Sequence, residues 1–149
     1  MIHKVEHTRN DQALDIRRVF QVSYKVEAEL LGASNFPPLS RPIDAFVGSA
    51  NDFWGFYEEQ TLVAVVEIKK EKKSIHFQSL VVAPDYFRRG IASQLINHVL
   101  QDYQVKAFTV ETGRDNTPAR KLYEGLGFKL LKTYTADENI VKVRYQKKM

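Results

Sequence analysis

The stretch LVVAPDYFRRGIA, residues 80–92, decides how the rest of the chain is interpreted. Its apolar start belongs to an alternating segment, which predicts a buried strand over residues 74–82. Pro84 ends that strand, and apolar spacing predicts a helix from residue 89 or 90 to residue 103. The stretch is therefore a strand, a turn and the first turn of a helix.

The turn of this stretch places positive charge where helices normally avoid it. Arg88 and Arg89 precede the helix, and Gly90 leaves its first turn without a side chain. Helix N-termini attract anions, so each arginine there costs roughly 0.3–1 kcal/mol unless an anion binds. Exposed N–H groups, the helix dipole and the glycine together predict a phosphate-binding turn. The alternative is a solvated pair of arginines beside a helix-start glycine.

The composition is that of an ordinary globular chain. Its 149 residues fit a single domain, 1–149, with 44% hydrophobic residues, 27% charged residues and a formal net charge of +4. The absence of cysteine excludes disulfides, a thiolate nucleophile and cysteine metal sites. No apolar run reaches the roughly 18 residues of a membrane span, and no signal peptide is recognisable. We therefore expect a cytoplasmic protein without a membrane partner.

Hydrophobic periodicity predicts the other elements around residues 80–92. Residues 32–42 contain two consecutive prolines and are interpreted as a loop inside the domain. The element order predicts an α/β sheet of mixed direction with helices on both faces. We expect strands over residues 2–8, 54–58, 62–69, 107–111, 128–134 and 140–146, and helices over residues 11–31, 42–50 and 117–126.

Three local features of these elements are also predicted. Thr117 is the expected N-cap of the last helix, with Pro118 at its first position. The apolar face of the first helix is expected at Leu14, Val19, Val22, Val26 and Leu30. Alternation along residues 74–82 predicts one face with Ile75, Phe77, Ser79 and Val81, and an opposite face with His76, Gln78, Leu80 and Val82.

A second stretch, ETGRDNTPARKLYEGLGF at residues 111–128, follows the next predicted strand. Together the two stretches resemble the GNAT superfamily of acyl-CoA-dependent N-acyltransferases. Residues 80–92 are similar to its pyrophosphate-binding motif, Gln/Arg-x-x-Gly-x-Gly/Ala. Residues 111–128 are similar to its Asn-x-x-Ala-x-x-x-Tyr-x-x-x-Gly-Phe motif, with matches at Asn116, Ala119, Tyr123, Gly127 and Phe128. The resemblance implies a GNAT-like, mostly antiparallel sheet of six or seven strands, with a central parallel pair splayed apart and about four flanking helices.

One position departs from the family pattern. Counting back from Gly90, Phe87 occupies the place of the motif's Gln or Arg, while Arg88 and Arg89 occupy the variable places. The phosphate-binding turn uses main-chain N–H groups, and we expect Phe87 still to supply one. Arg88 is the candidate replacement for the missing side-chain contact.

The resemblance implies an N-acetyltransferase that uses acetyl-CoA as co-substrate and transfers its acetyl group to a primary amine by direct attack in a ternary complex. A longer acyl donor stays open. The N–H of Val81 or Val82 is expected to polarise the thioester carbonyl. The implied cofactor-binding residues are Leu80, Val81 and Val82 along the pantetheine arm, Phe87, Arg88, Arg89, Gly90, Ile91 and Ala92 at the pyrophosphate, and Asn116 and Tyr123.

The resemblance also implies catalytic groups. Tyr123 matches the family's usual proton donor to the departing thiolate. The base that receives the amine proton is left open between His76 and Glu67, with Glu111 as a third candidate. His76 has the intrinsic pKa better suited to neutral pH. We expect no metal site, because the remaining histidines lack the spacing of one; these are His3, His7 and His98.

The acceptor is expected to be a small-molecule or peptide amine that the sequence does not identify. Its pocket is expected along residues 31–50 and the last hairpin, and five aromatic residues line it or belong to the core: Phe36, Phe46, Phe53, Trp54 and Tyr134. The alternative function is a non-catalytic acyl-CoA-binding module. A nucleic-acid partner is disfavoured because the basic residues are spread along the chain. The oligomeric state, a homodimer included, stays open.

Overall fold

The computed structural model describes residues 1–32, 37–136 and 139–149. Its strands are β1 (Ile2–Lys4), β2 (Asp52–Glu58), β3 (Thr61–Lys70), β4 (Ser74–Val82), β5 (Ala107–Gly113), β6 (Lys129–Thr135) and β7 (Val141–Lys148). Its helices are α1 (Asn10–Leu31), α2 (Ile43–Val47), α3 (Ile91–Asp102) and α4 (Thr117–Gly125), with 3₁₀ turns at Pro37–Ser40 and Pro84–Tyr86.

The seven strands of the described residues form one sheet in the order β1-β2-β3-β4-β5-β7-β6. Every neighbouring pair is antiparallel except β4 and β5, which are parallel and joined through α3. A parallel connection needs such a crossover because the chain must return to the end of the sheet at which it started. The predicted mixed sheet with one central parallel pair is confirmed.

The parallel pair separates partway along its length. β4 and β5 pair from Ser74 opposite Ala107 only as far as Phe77 opposite Val110. Beyond that point β4 remains paired with β3, and β5 remains paired with β7. The two strands therefore diverge toward their carboxyl ends, as the resemblance implied.

Each face of the sheet carries its own core. α1 and α2 pack on one face, with Phe20 and Phe46 among the buried residues there. α3 and α4 pack on the other face, with Leu95 and Tyr123 among the buried residues. Helices on both faces cover a sheet whose central strand β3 is buried along most of its length. This arrangement confirms the predicted layers.

A β-bulge at Gln78 changes the faces of β4. The register with β3 shifts at this residue, so one extra residue lies on β4. Before the bulge Phe77 belongs to the α3–α4 core; after it Leu80 and Val82 pack against that core, and Val81 packs against α1. The predicted strict alternation along residues 74–82 is therefore wrong beyond the bulge.

The buried face of α1 also differs from the prediction. Leu14, Val22 and Leu30 are 49%, 40% and 50% exposed. The helix has two apolar stripes, and the one with the larger aromatic residues packs on the sheet because it removes more apolar area from water. The buried residues of α1 are Ala13, Ile16, Val19, Phe20, Tyr24 and Ala28.

Some element boundaries differ from the sequence prediction. β1 is shorter than residues 2–8, because the chain turns where the N–H of His7 donates to the carbonyl of Val5 at 2.9 Å. The N-cap of α4 is Asn116 rather than Thr117. Residues 33–36 of the predicted loop lie outside the described residues. None of the described helices combines the length and apolar character required to cross a bilayer.

Candidate active site

The divergence of β4 and β5 exposes main-chain groups of β4. The N–H of Ala83 donates to the carbonyl of Val63 at 2.8 Å, which marks a hydrogen-bonded pair of the β3–β4 ladder. Hydrogen-bonded and non-bonded pairs alternate in an antiparallel ladder, so the polar groups of Val81 face β3. Those of Leu80 and Val82 face the opening toward β5. This geometry corrects the expectation that the Val81 N–H reaches the opening.

One of the exposed donors contacts α1. The N–H of Val82 donates to the Oγ of Ser23 at 3.3 Å. This bond is longer than the usual N–H···O distance of about 2.9–3.0 Å. Leu80 and Val82 thus border the opening with main-chain donors, and the Val82 donor is held by a hydroxyl of the neighbouring helix.

The turn before α3 presents further N–H groups at the end of the opening. Arg88 and Gly90 both have left-handed backbones, with φ of 63° and 74°. The N–H of Gln94 makes the helical bond to the carbonyl of Gly90 at 3.1 Å. The N–H groups of residues 91–93 precede it and have no acceptor within the helix. This is the anion-binding geometry of a helix N-terminus.

The three residues before Gly90 make different contacts. The N–H of Phe87 donates to the carbonyl of Pro84 at 3.2 Å, so the expectation that this N–H is available to a phosphate is wrong. The Phe87 side chain is 41% exposed. Arg88 lines the opening, whereas the guanidinium of Arg89 lies 4.9 Å from the centre of the Tyr86 ring.

A cavity of about 510 Å³ extends along this opening. We call it the β4–β5 cleft, defined by Leu80, Val82, residues 86–93 without Arg89, and parts of α1 and α4. α1 contributes Val26 and Leu30 to its wall, which accounts for apolar side chains of that helix that are not in the core. The cleft therefore joins the helix-start turn to the residues of α4.

α4 directs two of the predicted residues into the cleft. Asn116 is 6% exposed, and its Oδ1 accepts a hydrogen bond from the N–H of Ala119 at 3.3 Å, which caps the helix. Tyr123 is 5% exposed. Burial raises the pKa of the Tyr123 hydroxyl, and the carboxylate of Glu27 adds to the increase.

Glu27 on α1 is a candidate site residue that the sequence analysis missed. Its Oε1 accepts a hydrogen bond from the Nδ2 of Asn116 at 3.1 Å, across 89 positions of the chain. Burial raises the pKa of the Glu27 carboxyl, although the charge of Lys142 and the Asn116 hydrogen bond oppose this. The available sequence signal was a carboxylate directly after Val26, which belongs to the stripe predicted to be apolar.

A second cavity of about 290 Å³ opens beside the cleft. We call it the side pocket. It lies on the α1 face and is lined by residues of α1, β4 and β5, together with Arg41 and Lys142. Three residues line both cavities: Glu27, Leu80 and Tyr123. A group bound in the cleft and a group bound in the side pocket would therefore meet at these three residues.

Glu67 is buried and fully engaged within the fold. Both of its oxygens bind the Arg41 guanidinium, at 2.7 and 3.1 Å. They also accept hydrogen bonds from Asn51 at 2.8 Å and from Ser79 at 3.0 Å. Four donors occupy the roughly four lone-pair positions of a carboxylate. The geometry is that of a group that anchors the segment before α2 to the sheet.

His76 and Glu111 line the side pocket and not the cleft. The His76 Nδ1 lies 2.7 Å from the Oγ1 of Thr109, and burial followed by the charge of Arg144 lowers the His76 pKa. Glu111 accepts hydrogen bonds from Arg144 at 2.8 Å and Tyr134 at 2.6 Å. Burial alone would raise the Glu111 pKa, but these two donors lower it.

The described aromatic residues that were predicted to line the acceptor pocket do not line the side pocket. Phe46 and Phe53 are buried in the α1–α2 core, and Trp54 lies on the opposite face, 4.6 Å from the His98 ring. Tyr134 binds Glu111, and Phe36 lies outside the described residues. The aromatic residues that line the side pocket are Phe20, Tyr24, Phe77 and Tyr123.

Comparison with curated proteins identifies several relatives of this chain. The chain is similar to the UPF0157 protein YqkA of Bacillus subtilis, with 30% identity over 143 residues that cover 95% of this chain and 41% of that protein. It is also similar to an N-alpha-acetyltransferase of Saccharolobus solfataricus, with 34% identity over 91 residues that cover 56% of this chain and 51% of that protein. The chain spans about half the length of the curated relatives it matches.

Solved structures share the fold at low identity. PaiA N-acetyltransferase from Thermoplasma acidophilum, solved in complex with coenzyme A, matches with a TM-score of 0.75 and 16% identity, over 100% of this chain and 99% of that one. The family model described as "Acetyltransferase (GNAT) domain" matches residues 35–149, which include the cleft turn and α4. The chain therefore belongs to the GNAT acetyltransferase domain family.

Proposed function

We propose that this protein binds acetyl-CoA in the β4–β5 cleft and transfers its acetyl group to a primary amine bound in the side pocket, by direct attack while both are bound. The observation that carries the proposal is the separation of β4 and β5. It leaves a cleft that begins at the start of α3, passes the part of β4 that does not pair with β5, and meets a second pocket at Glu27 and Tyr123.

The residues of the cleft fit coenzyme A. The N–H groups of residues 91–93 and the helix dipole suit a pyrophosphate. A Cβ built on Gly90 meets no heavy atom within 4 Å, so the space beside this turn is open to a ligand. Arg88 adds a positive charge on the wall of the cleft. Bound there, acetyl-CoA supplies an activated acetyl thioester.

The main chain of β4 has two tasks in this proposal. The N–H and carbonyl of Leu80 and Val82 pair with the amides of the pantetheine arm, as a further strand would. One of these N–H groups also polarises the thioester carbonyl, because a fixed donor stabilises the negative charge that grows on that oxygen. The Val82 N–H becomes available when it leaves the Oγ of Ser23.

Glu27 is proposed as the group that receives the amine proton. An alkylammonium has no lone pair, and only about 1 in 2,500 lysine-type amines is neutral at pH 7. Glu27 lies where the two cavities meet, and its raised pKa makes it a better proton acceptor than an exposed carboxylate. Glu67 has four donors on its carboxylate, and His76 and Glu111 do not line the cleft, so we rank all three below Glu27.

Tyr123 is proposed as the hydrogen-bond donor to the departing sulfur. Its raised pKa keeps the hydroxyl protonated at all physiological pH values. Even an ordinary tyrosine, with a pKa of about 10, is a weaker acid than a thiol at about 8.5. Tyr123 therefore stabilises the thiolate by donating a hydrogen bond and does not need to transfer its proton completely.

The experiment that tests this function combines a binding and a turnover measurement. Calorimetry with acetyl-CoA tests the cleft, and release of free thiol in the presence of a panel of primary amines tests transfer. We expect tight binding, and thiol release that depends on the amine. Binding without thiol release for any amine would instead support a non-catalytic acyl-CoA-binding module. A protein that does not bind acetyl-CoA would contradict both functions.

A further inference from the structure

Two charged residues that line the side pocket, Arg41 and Glu111, form ion pairs with residues beside it. Arg41 is neutralised by Glu67 at 2.7 Å, and Arg144 is neutralised by Glu111 at 2.8 Å. Burial and the charge of Arg144 lower the pKa of His76, which favours the uncharged form of its ring. These groups shape the pocket, but their charges are balanced within the fold.

Two charged groups remain, and they have opposite signs. Glu27 is bound by the neutral amide of Asn116 and by no cation among the described residues. Lys142 lines the pocket, and its ammonium forms no ion pair within residues 1–32, 37–136 and 139–149. The side pocket thus offers one carboxylate and one ammonium that no described side chain neutralises by direct contact.

Glu27 and Lys142 differ in the cavities that they line. Glu27 lines both the side pocket and the β4–β5 cleft, so a group beside it is close to the thioester. Lys142 lines only the side pocket. It is opposite Gly113 of β5 and Tyr134 of β6 in the sheet register, on the side away from α3. A ligand that contacts both therefore has a defined orientation relative to the cleft.

We propose that the acceptor is a small amine that also carries a carboxylate, an amino-acid-type molecule whose amine faces Glu27 and whose carboxylate faces Lys142. This inference rests on the proposed acetyl transfer and adds the acceptor class. It gives Glu27 and Lys142 each a direct ionic partner with one ligand, and the amine end is the one that lies at the cleft. A cavity of about 290 Å³ has room for a molecule of this size.

The same charges disfavour other amines. A polyamine would bring a second positive charge toward Lys142, which is a repulsive contact. A peptide N-terminus would present a neutral amide there and leave the ammonium without a partner. Discrimination by Lys142 therefore acts on the group next to the amine rather than on the amine itself.

The test compares each amino acid with its own carboxamide as acceptor, with acetyl-CoA as donor and free thiol as the readout. The pair differs in the carboxylate alone, apart from a lower amine pKa in the carboxamide. We expect kcat/KM for the free acid to exceed that for the amide by about tenfold, since a charge-assisted contact is lost in the amide. In Lys142→Met the ratio falls to about one, and in Lys142→Arg the preference is kept.

Each outcome has a distinct meaning. Turnover of carboxamides, diamines or peptides at least as fast as free amino acids would overturn the acceptor class and leave the proposed acetyl transfer intact. A wild-type preference that persists in a folded Lys142→Met variant would overturn the role of Lys142. Absence of thiol release with every amine would overturn the proposed function, and the inference with it.

Discussion

The β4–β5 cleft and the side pocket share three residues, yet they are assembled in different ways. The turn and helix start of the cleft come from one continuous stretch, residues 80–92, and its polar groups include main-chain N–H groups of this stretch. The side pocket collects side chains from α1, β4, β5, α4 and β7 together with Arg41. A pocket made of main chain depends on local conformation, whereas a pocket made of distant side chains depends on the whole fold.

The comparison predicts that variants of the two regions affect different quantities. Changes in the cleft should alter the affinity for acetyl-CoA, because the cleft holds the larger part of that molecule in the proposed function. Changes where the cavities meet should alter turnover, because the reacting groups meet there. Each of the following variants tests this separation.

Gly90→Glu should have the largest effect. It places a carboxylate where the pyrophosphate is proposed to bind and requires a non-glycine residue at φ +74°. We expect acetyl-CoA affinity measured by calorimetry to fall by more than about a hundredfold. Gly90→Asn is the matched control, since asparagine tolerates the left-handed region without adding charge. Equal affinities of the glutamate variant and wild type would remove the cleft from cofactor binding.

Glu27→Gln should have the second-largest effect. We expect its turnover number to fall by roughly a hundredfold or more, as is typical when a general base is removed. The affinity for acetyl-CoA should change little. In the wild type kcat/KM should decrease as pH falls through the Glu27 pKa, which lies above its usual value of 4.5, because the base must be ionised. This decrease at low pH, the acid limb of the pH profile, should be lost in Glu27→Gln.

Glu29→Gln provides the control for that experiment. Glu29 is an exposed carboxylate on the same helix, two residues away, and it lines neither cavity. It should keep both the turnover number and the acid limb. If Glu27→Gln retained wild-type turnover while Glu67→Gln or His76→Gln lost it in a folded protein, our ranking of the bases would be refuted.

Tyr123→Phe should lower the turnover number by about ten- to a hundredfold, which corresponds to the loss of one hydrogen bond to a charged group. The ring remains, so packing against Phe128 and Tyr145 and the affinity for acetyl-CoA should be preserved. Steady-state kinetics and calorimetry together separate the two effects. A loss confined to affinity would reassign Tyr123 to binding.

Phe87→Ala should have the smallest effect. The ring lines the cleft but is 41% exposed, and its N–H is already bound to Pro84. Removing part of an apolar contact should weaken acetyl-CoA binding by about threefold to tenfold in calorimetry. Phe87→Gln restores a residue that the family motif allows. An unchanged affinity in the alanine variant would show that the ring takes no part in binding.

The sequence was sufficient for the parts of the site that depend on neighbours in the chain. The strand at residues 74–82, the helix that begins after Gly90 and the helix that carries Tyr123 follow from spacing and turn chemistry. The faces of β4 were mispredicted beyond Gln78, because a bulge adds a residue without any reliable sequence signal.

The sequence by itself determined the order of elements, the glycine-containing turn before α3 and the family, because each is encoded by residues close together in the chain. Only the tertiary structure decided which carboxylate lies at the junction of the cavities. The Glu67 carboxylate accepts hydrogen bonds from Arg41, Asn51 and Ser79. Glu27 instead accepts one from Asn116, which is 89 positions away in the chain. The physical reason is that a carboxylate's chemistry depends on its burial and on the donors around it, and both are set by packing between elements that are distant in the chain.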